Sequence, residues 1–287
     1  MKLKKLKKII IRCSLCVLCA VSSFPLITNA ENYSYKAQFG THIFKVKYDD
    51  ETLENFNGHK GDFLDGFFLH QIKEIQNDKD IQSLIEKIKD KNIKIQFDSQ
   101  FFLGEDTGAA FSPVFKCIKI PYSSASSMNS NLSQFKNIIK HELTHQYIHS
   151  EVGIYFPKWL DEGFATQEDS ESYNASDLKG YDFAKNCDYM DHYPSDYKTK
   201  HQFYAFNCFL IKDWIARGNT LDDMLNYIQS DENFKNINNQ IEQNKKGNVE
   251  QLQNQKRIIV NDLANDYFFN KSGGYASYNE IIDKCLQ

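Results

Sequence analysis

Apolar and polar residues alternate along Thr41-His42-Ile43-Phe44-Lys45-Val46-Lys47-Tyr48, a pattern that puts successive side chains on opposite faces of a strand. Ile93-Lys94-Ile95-Gln96-Phe97 repeats it, and Phe115 to Ile120, closed by Pro121, is expected as a third strand. Between the first two, Asp80 to Lys91 has the period of an amphipathic helix, with Ile81, Leu84, Ile85 and Ile88 turned inward. Further along only the helical period remains. Leu132, Phe135, Ile139 and Leu143 form one stripe, and Tyr204 to Ala216 carries Phe206, Phe209, Leu210 and Trp214 before stopping near Gly218. Thr220-Leu221-Asp222-Asp223 has the form of a helix N-cap leading to Met224, Leu225 and Ile228. From Asp231 to Gln255 apolar positions thin to Phe234, Ile237, Ile241, Val249 and Leu252, which predicts a solvated helical hairpin or arm broken at Gly247. Ile258 to Phe269 regains apolar character and is expected to dock on the core, before a turn at Lys271-Ser272-Gly273-Gly274-Tyr275. No internal repeat is present. The expected fold class is α+β: a small sheet followed by helices, in a chain long enough for a sizeable core.

The first thirty residues stand apart. Lys2, Lys4, Lys5, Lys7, Lys8 and Arg12 make a basic start, Cys13 to Ile27 is mostly apolar, and Thr28-Asn29-Ala30 ends in a small residue. This is the order of a secretory signal peptide, and export with an N-terminus near Glu31 is expected. The apolar run is short for a spanning helix and contains Ser14, Ser22, Ser23 and Pro25, so no stable membrane association is expected after its removal. A lipoprotein signal fits poorly because Leu18 precedes Cys19.

Removing those six basic residues from the total of 34 leaves 28 against 38 acidic ones, a net charge of −10. That balance argues against nucleic acid and anionic membranes as partners. Of seven cysteines, Cys117, Cys187, Cys208 and Cys285 remain in the exported part. An even number in an oxidising compartment permits two disulfides in any of three pairings, with buried unpaired thiols as the alternative. None lies in a CxxC spacing, so a cysteine-rich zinc site is not expected.

The candidate chemistry sits at His141-Glu142-Leu143-Thr144-His145. Two histidines four apart project from one side of a helix, opposite the stripe of Leu132, Phe135, Ile139 and Leu143, and can reach a single ion. Glu142 falls between the two faces, placed to act as a base. A catalytic zinc site needs a third protein ligand and an open position. Glu162, in Trp159-Leu160-Asp161-Glu162-Gly163, is the strongest candidate, since Pro157 suits the first turn of a second helix and the connection through Gly153 is short. Gly163 leaves room for a close helix approach. Trp159 and Thr166 share a face with Glu162, so Trp159 is either a neighbour of the metal or a core anchor, and Thr166 a hydrogen-bond partner behind the ligands. Asp161 is either a hydrogen-bond acceptor behind the ligands or a surface charge, with the surface favoured. His149 lies about 12 Å along the helix from His141, too far to share the ion, and suits the helix end.

These segments, together with Phe164-Ala165, resemble the gluzincin metallopeptidases, whose third ligand is a Glu on the helix after the HExxH helix. The run from Trp159 to Thr166 is similar to that of the membrane alanyl aminopeptidases and of smaller peptidase-MA-like domains. The resemblance covers roughly residues 110 to 220. It implies a zincin-like catalytic domain over 31–230, with a sheet-containing part at 31–125, a helical zinc-site part at 126–230, and a helical C-terminal extension at 231–287. It also implies one catalytic Zn2+ held by His141, His145 and Glu162, with Glu142 as the base. Sixteen residues separate His145 from Glu162, a shorter spacing than in the aminopeptidases, and no Gly-Ala-Met-Glu-Asn motif is present; Gly108-Ala109-Ala110-Phe111 is a faint echo of it. The stand-alone peptidase-MA-like domain is the closer likeness. Metzincins are excluded, because Glu151 and Ile148 occupy the places of their third His and their Gly.

The expected activity is metal-assisted hydrolysis of a peptide or protein substrate, with an edge strand of the sheet holding the substrate backbone as in relatives. An oxyanion donor is sought downstream: His201 and Tyr204 are the candidates, with His192, Tyr193 and Tyr197 in reserve. Two other readings stay open, a zinc hydrolase acting on a non-peptide amide and an exported binding protein with a structural zinc.

Overall fold

The computed structural model describes residues 33–48, 69–98, 109–121, 132–153, 156–168, 173, 175–178, 180, 197–244 and 249–273. The expected signal peptide, Cys187, Cys285, His192 and Tyr193 lie outside them. The fold is mixed α+β and mostly helical, with one small sheet. The chain divides into two compact units, residues 1–136 and 137–287.

Among the described residues the first unit contains five strands, β1 (Tyr33–Phe39), β2 (His42–Tyr48), β3 (Asn92–Asp98), β4 (Ala110–Ser112) and β5 (Cys117–Pro121), in the order β1-β2-β3-β5-β4. A two-residue turn at Gly40-Thr41 folds β1 antiparallel onto β2. The parallel pairing of β2 with β3 needs a crossover, which helices α1 (Leu69–Asn77) and α2 (Lys79–Lys87) supply. β5 runs parallel to β3, and the short β4 closes the edge antiparallel to β5. The alternation seen in the sequence is realised: Phe44, Val46, Ile93, Ile95, Phe97, Ile118 and Ile120 are buried, and the residues between them face the other way. Ile81, Ile85 and Ile88 complete this core.

Several expected boundaries shift. α2 ends at Lys87 rather than Lys91, because Ile88 turns to extended backbone and the Asp90 carboxylate accepts from the Asn92 amide (2.9 Å) to start β3. At its other end Asp78, not foreseen as a cap, accepts from the amides of Asp80 and Ile81 at 3.0 Å. The third expected strand starts at Cys117, since Pro113 to Lys116 make the turn of a hairpin with β4.

Helix α3 (Leu132–Val152) contains the boundary between the units. Phe135 stacks on Phe97 at 6.4 Å, and Lys136 pairs with Asp78 at 3.0 Å, so its first turns belong with the sheet. The other elements described in the second unit are helical: α4 (Lys158–Glu168), a 3-10 turn (Ala175–Leu178), α5 (Tyr197–Ala216), α6 (Leu221–Ser230), α7 (Glu232–Gln243), α8 (Val249–Asp266) and a π-helical turn (Tyr267–Lys271). α5 starts seven residues before the expected Tyr204. The hairpin expected from Asp231 onward is the pair α7 and α8, and Thr220 caps α6 as read, its hydroxyl accepting from the Asp223 amide at 3.1 Å.

These helices pack with the site helices. Tyr147 of α3 donates to Asp222 (2.8 Å), and Phe268 of the π-helical turn meets Trp159 of α4 edge-on at 5.0 Å and stacks on Trp214 of α5 at 5.6 Å. Among the described residues Cys117 and Cys208 are buried free thiols, and Cys208 Sγ donates to the Thr166 carbonyl at 3.5 Å. No helix among the described residues is long and apolar enough to cross a membrane.

Candidate metal centre

The HExxH helix divides its faces as its sequence predicts. Phe135, Ile139, Leu143, Tyr147 and Ile148 are buried, while His141 and His145 reach partly open space one turn apart. Gly153 ends α3 in the left-handed conformation (φ 94°), its amide donating to the His149 carbonyl at 2.9 Å, and lets the chain turn toward α4. The Pro157 carbonyl accepts from the Asp161 amide at 2.9 Å, so the proline stands at the start of α4 as expected. Gly163 is required by packing. A Cβ there would lie 2.7 Å from Ile211 Cγ1 and 3.1 Å from the Asn207 carbonyl, so α4 and α5 touch at backbone distance beside Glu162.

These helices bring three ligand-type side chains together. His141 Nε2 and His145 Nε2 are 3.1 Å apart, and Glu162 presents Oε2 at 3.5 Å from His141 and Oε1 at 3.7 Å from His145. The donor atoms all lie within 4.8 Å of one another. Glu162 is 1% exposed, so its charge cannot be solvated by water and must be met inside the protein. Two imidazole nitrogens and a buried carboxylate converging on one point are a donor set that fits a divalent ion.

The surroundings orient that set. His145 Nδ1–H donates to Asp161 Oδ1 at 2.8 Å, which leaves the Nε2 lone pair directed toward the other two ligands. Asp161, expected at the surface, is therefore the residue that fixes the tautomer of His145. Lys158, one turn before Glu162, places Nζ 3.1 Å from Oε1. Burial works against the charged forms of all three groups, but mutual attraction wins. Asp161 and Glu162 raise the His145 pKa well above its usual value, Lys158 followed by the histidines holds Glu162 well below the usual carboxylate range, and Glu162 and Asp161 raise Lys158. Glu142 is 5% exposed and adds to the negative field on Lys158, which sets it close to the same charged group.

The other expected site residues are placed differently. His201 lies on α5, its Nε2 3.7 Å from Asp177 and its ring 5.1 Å from Tyr173, and is not part of the ligand group. Tyr204 packs its ring 5.9 Å from Phe203. Tyr197 is the first residue of α5. Trp159 is a core anchor, gripped by Phe268 and Phe269. Thr166 is buried, with no hydrogen-bond partner for its hydroxyl among the described residues. His149 sits in the last turn of α3, apart from the group. Lys158 is the residue that sequence reasoning missed, although its place four before Glu162 was a legible i,i+4 signal. No protein-family model, curated protein or solved structure matches this chain.

Proposed function

We propose that the protein is an exported zinc-dependent metallopeptidase of the gluzincin type, in which His141, His145 and Glu162 hold the ion and Glu142 is the general base. The observation that carries this reading is the convergence of those three ligands with Glu142 in the intervening turn. Zinc bound there would supply a Lewis acid for the substrate carbonyl and acidify a water. The chain's own part is proton handling and orientation. Glu142, buried beside the ligands, accepts the water proton and returns it to the leaving amine. Asp161 holds the His145 ring, and Lys158 keeps Glu162 charged and in place. An open position favours catalysis over a structural ion, since a structural zinc is closed by four protein ligands and three are gathered among the described residues. His201 and Tyr204 remain the proposed oxyanion donors, reached by the substrate complex rather than by contact with the ligands.

The test is cleavage of an unfolded protein by the zinc-loaded chain, wild type against Glu142→Gln. The variant is expected to keep its zinc and lose at least about 100-fold in kcat, because the amide preserves shape but accepts no proton. Equal cleavage by both contradicts the role of Glu142. Cleavage by neither, with zinc bound, moves the activity to a non-peptide amide.

A further inference from the structure

The open face of the sheet carries a field of lysines in a chain whose overall charge is negative. Burial of Phe44, Val46, Ile93, Ile95, Ile118 and Ile120 on one side puts Lys45, Lys47, Lys94 and Lys119 on the other. Pairing sets Lys45 opposite Lys94, Lys47 opposite Gln96, and Gln96 opposite Lys119. Four ammonium groups from three adjacent strands therefore share a patch about 10 Å across. Lys47 and Lys94 are exposed, and Lys45 and Lys119 are half-buried. Lys119, Lys94 and Lys47 all act electrostatically on Cys117, at one point of this face. Gln38, Ile43, Asn92, Gln96 and Ser112 on the same face add no carboxylate, the one acid in this register being Asp98 at the end of β3, and Lys45, Lys47 and Lys94 have no ion-pair partner among the described residues. Like charges directly opposite across strands destabilise a sheet, so folding does not account for the arrangement.

A second, different feature adjoins it. The turn from Pro113 to Lys116 joins β4 to β5 and leaves Val114 82% and Phe115 62% exposed, the most exposed large apolar side chains described. Lys116, in the left-handed conformation (φ 47°), adds a further exposed cation. Lys119 Nζ lies 4.9 Å from the centroid of the Phe115 ring, so the apolar apex borders the lysine field.

We propose that this face and hairpin apex dock the protein reversibly on an anionic lipid surface: the lysines meet headgroup phosphates, and Val114 and Phe115 enter the headgroup boundary. Net negative charge does not oppose this, because screening limits each charge to about 8–10 Å and only the facing patch is felt. The proposal departs, for this surface, from the expectation drawn from net charge that anionic membranes are not partners. A nucleic acid fits less well, since the exposed ring of Phe115 stands alone beside the aliphatic Val114 and the described side chains of the face include no arginine. The proposal is independent of the metal centre.

The experiment places a reporter at the apex, because the basic segment of residues 1–30 would itself draw the full chain to anionic vesicles. Emission of the indole introduced by Phe115→Trp is followed as vesicles are added, either phosphatidylcholine alone or phosphatidylcholine with about a third phosphatidylglycerol. A blue shift is expected with the anionic vesicles only, weakening with salt. Adding Lys45→Gln, Lys47→Gln and Lys94→Gln together, on a chain with unchanged circular dichroism, should weaken the response about tenfold or more. An absent shift, a shift of the same size with the neutral vesicles, or a shift untouched by the triple change overturns the proposal. So does an equal shift with single-stranded DNA, which would assign the face to nucleic acid.

Discussion

Asp161 shows how one side chain changes role between sequence and structure. Along the chain it is a carboxylate on a helix with charged neighbours, and surface exposure is the ordinary expectation for its type. In the fold its Oδ1 accepts a hydrogen bond from Nδ1–H of His145, sixteen positions away, and so turns Nε2 toward His141 and Glu162. Asp161→Asn is expected to lower zinc affinity roughly 10–100-fold while leaving the helices intact, measured by competition with a chromophoric chelator. Unchanged affinity would return Asp161 to an incidental contact. The grouping of His141, His145 and Glu162 was legible because spacing on two helices is enough to bring such side chains together. Asp161 was legible only as one of two readings and Lys158 only as an i,i+4 neighbour of Glu162, because which rotamer meets which partner is set by the fold.

Elements were read most reliably where one period ran without interruption. α3, β2 and β3 fall where alternation or the helical stripe placed them. The missed elements, β1, α1 and β4, are short or lie beside turns, and β4 has three residues, too few to show a period. Gly163 is the element-scale determinant of the site. With Ile211 at 2.7 Å from a would-be Cβ, Gly163→Ala should cost about 1–3 kcal/mol in urea unfolding, despite alanine's better helix propensity. A stabilised variant would show that α4 and α5 can part without penalty. A second tie joins α6 to α8, where the Tyr227 hydroxyl donates to Asp266 at 2.7 Å. That bond raises Tyr227 to about 12 and lowers Asp266. The sign for a raised tyrosine is that its contribution is complete below the unfolded value of 10.0 and drains away as pH rises toward about 12. Tyr227→Phe should therefore cost about 0.5 kcal/mol at neutral pH, small because both groups face solvent, and nothing near pH 12. A difference that persists undiminished at alkaline pH would point to packing instead.

At the scale of the whole molecule, a sheet unit precedes a helical unit that gathers His141, His145 and Glu162. The expected docking of the last apolar segment is realised through Phe268, fully buried against Trp159 and Trp214. Phe268→Ala should cost about 3–5 kcal/mol, read as a lower melting temperature, since a buried ring is replaced by a cavity behind α4. The central claim is that three side chains from two helices form one metal site, and zinc content tests it most directly. Protein dialysed against zinc, then assayed for bound metal, should hold one ion per chain in the wild type. Glu162→Ala should hold far less, because two histidines alone leave the site incomplete. Full occupancy in Glu162→Ala would contradict the account.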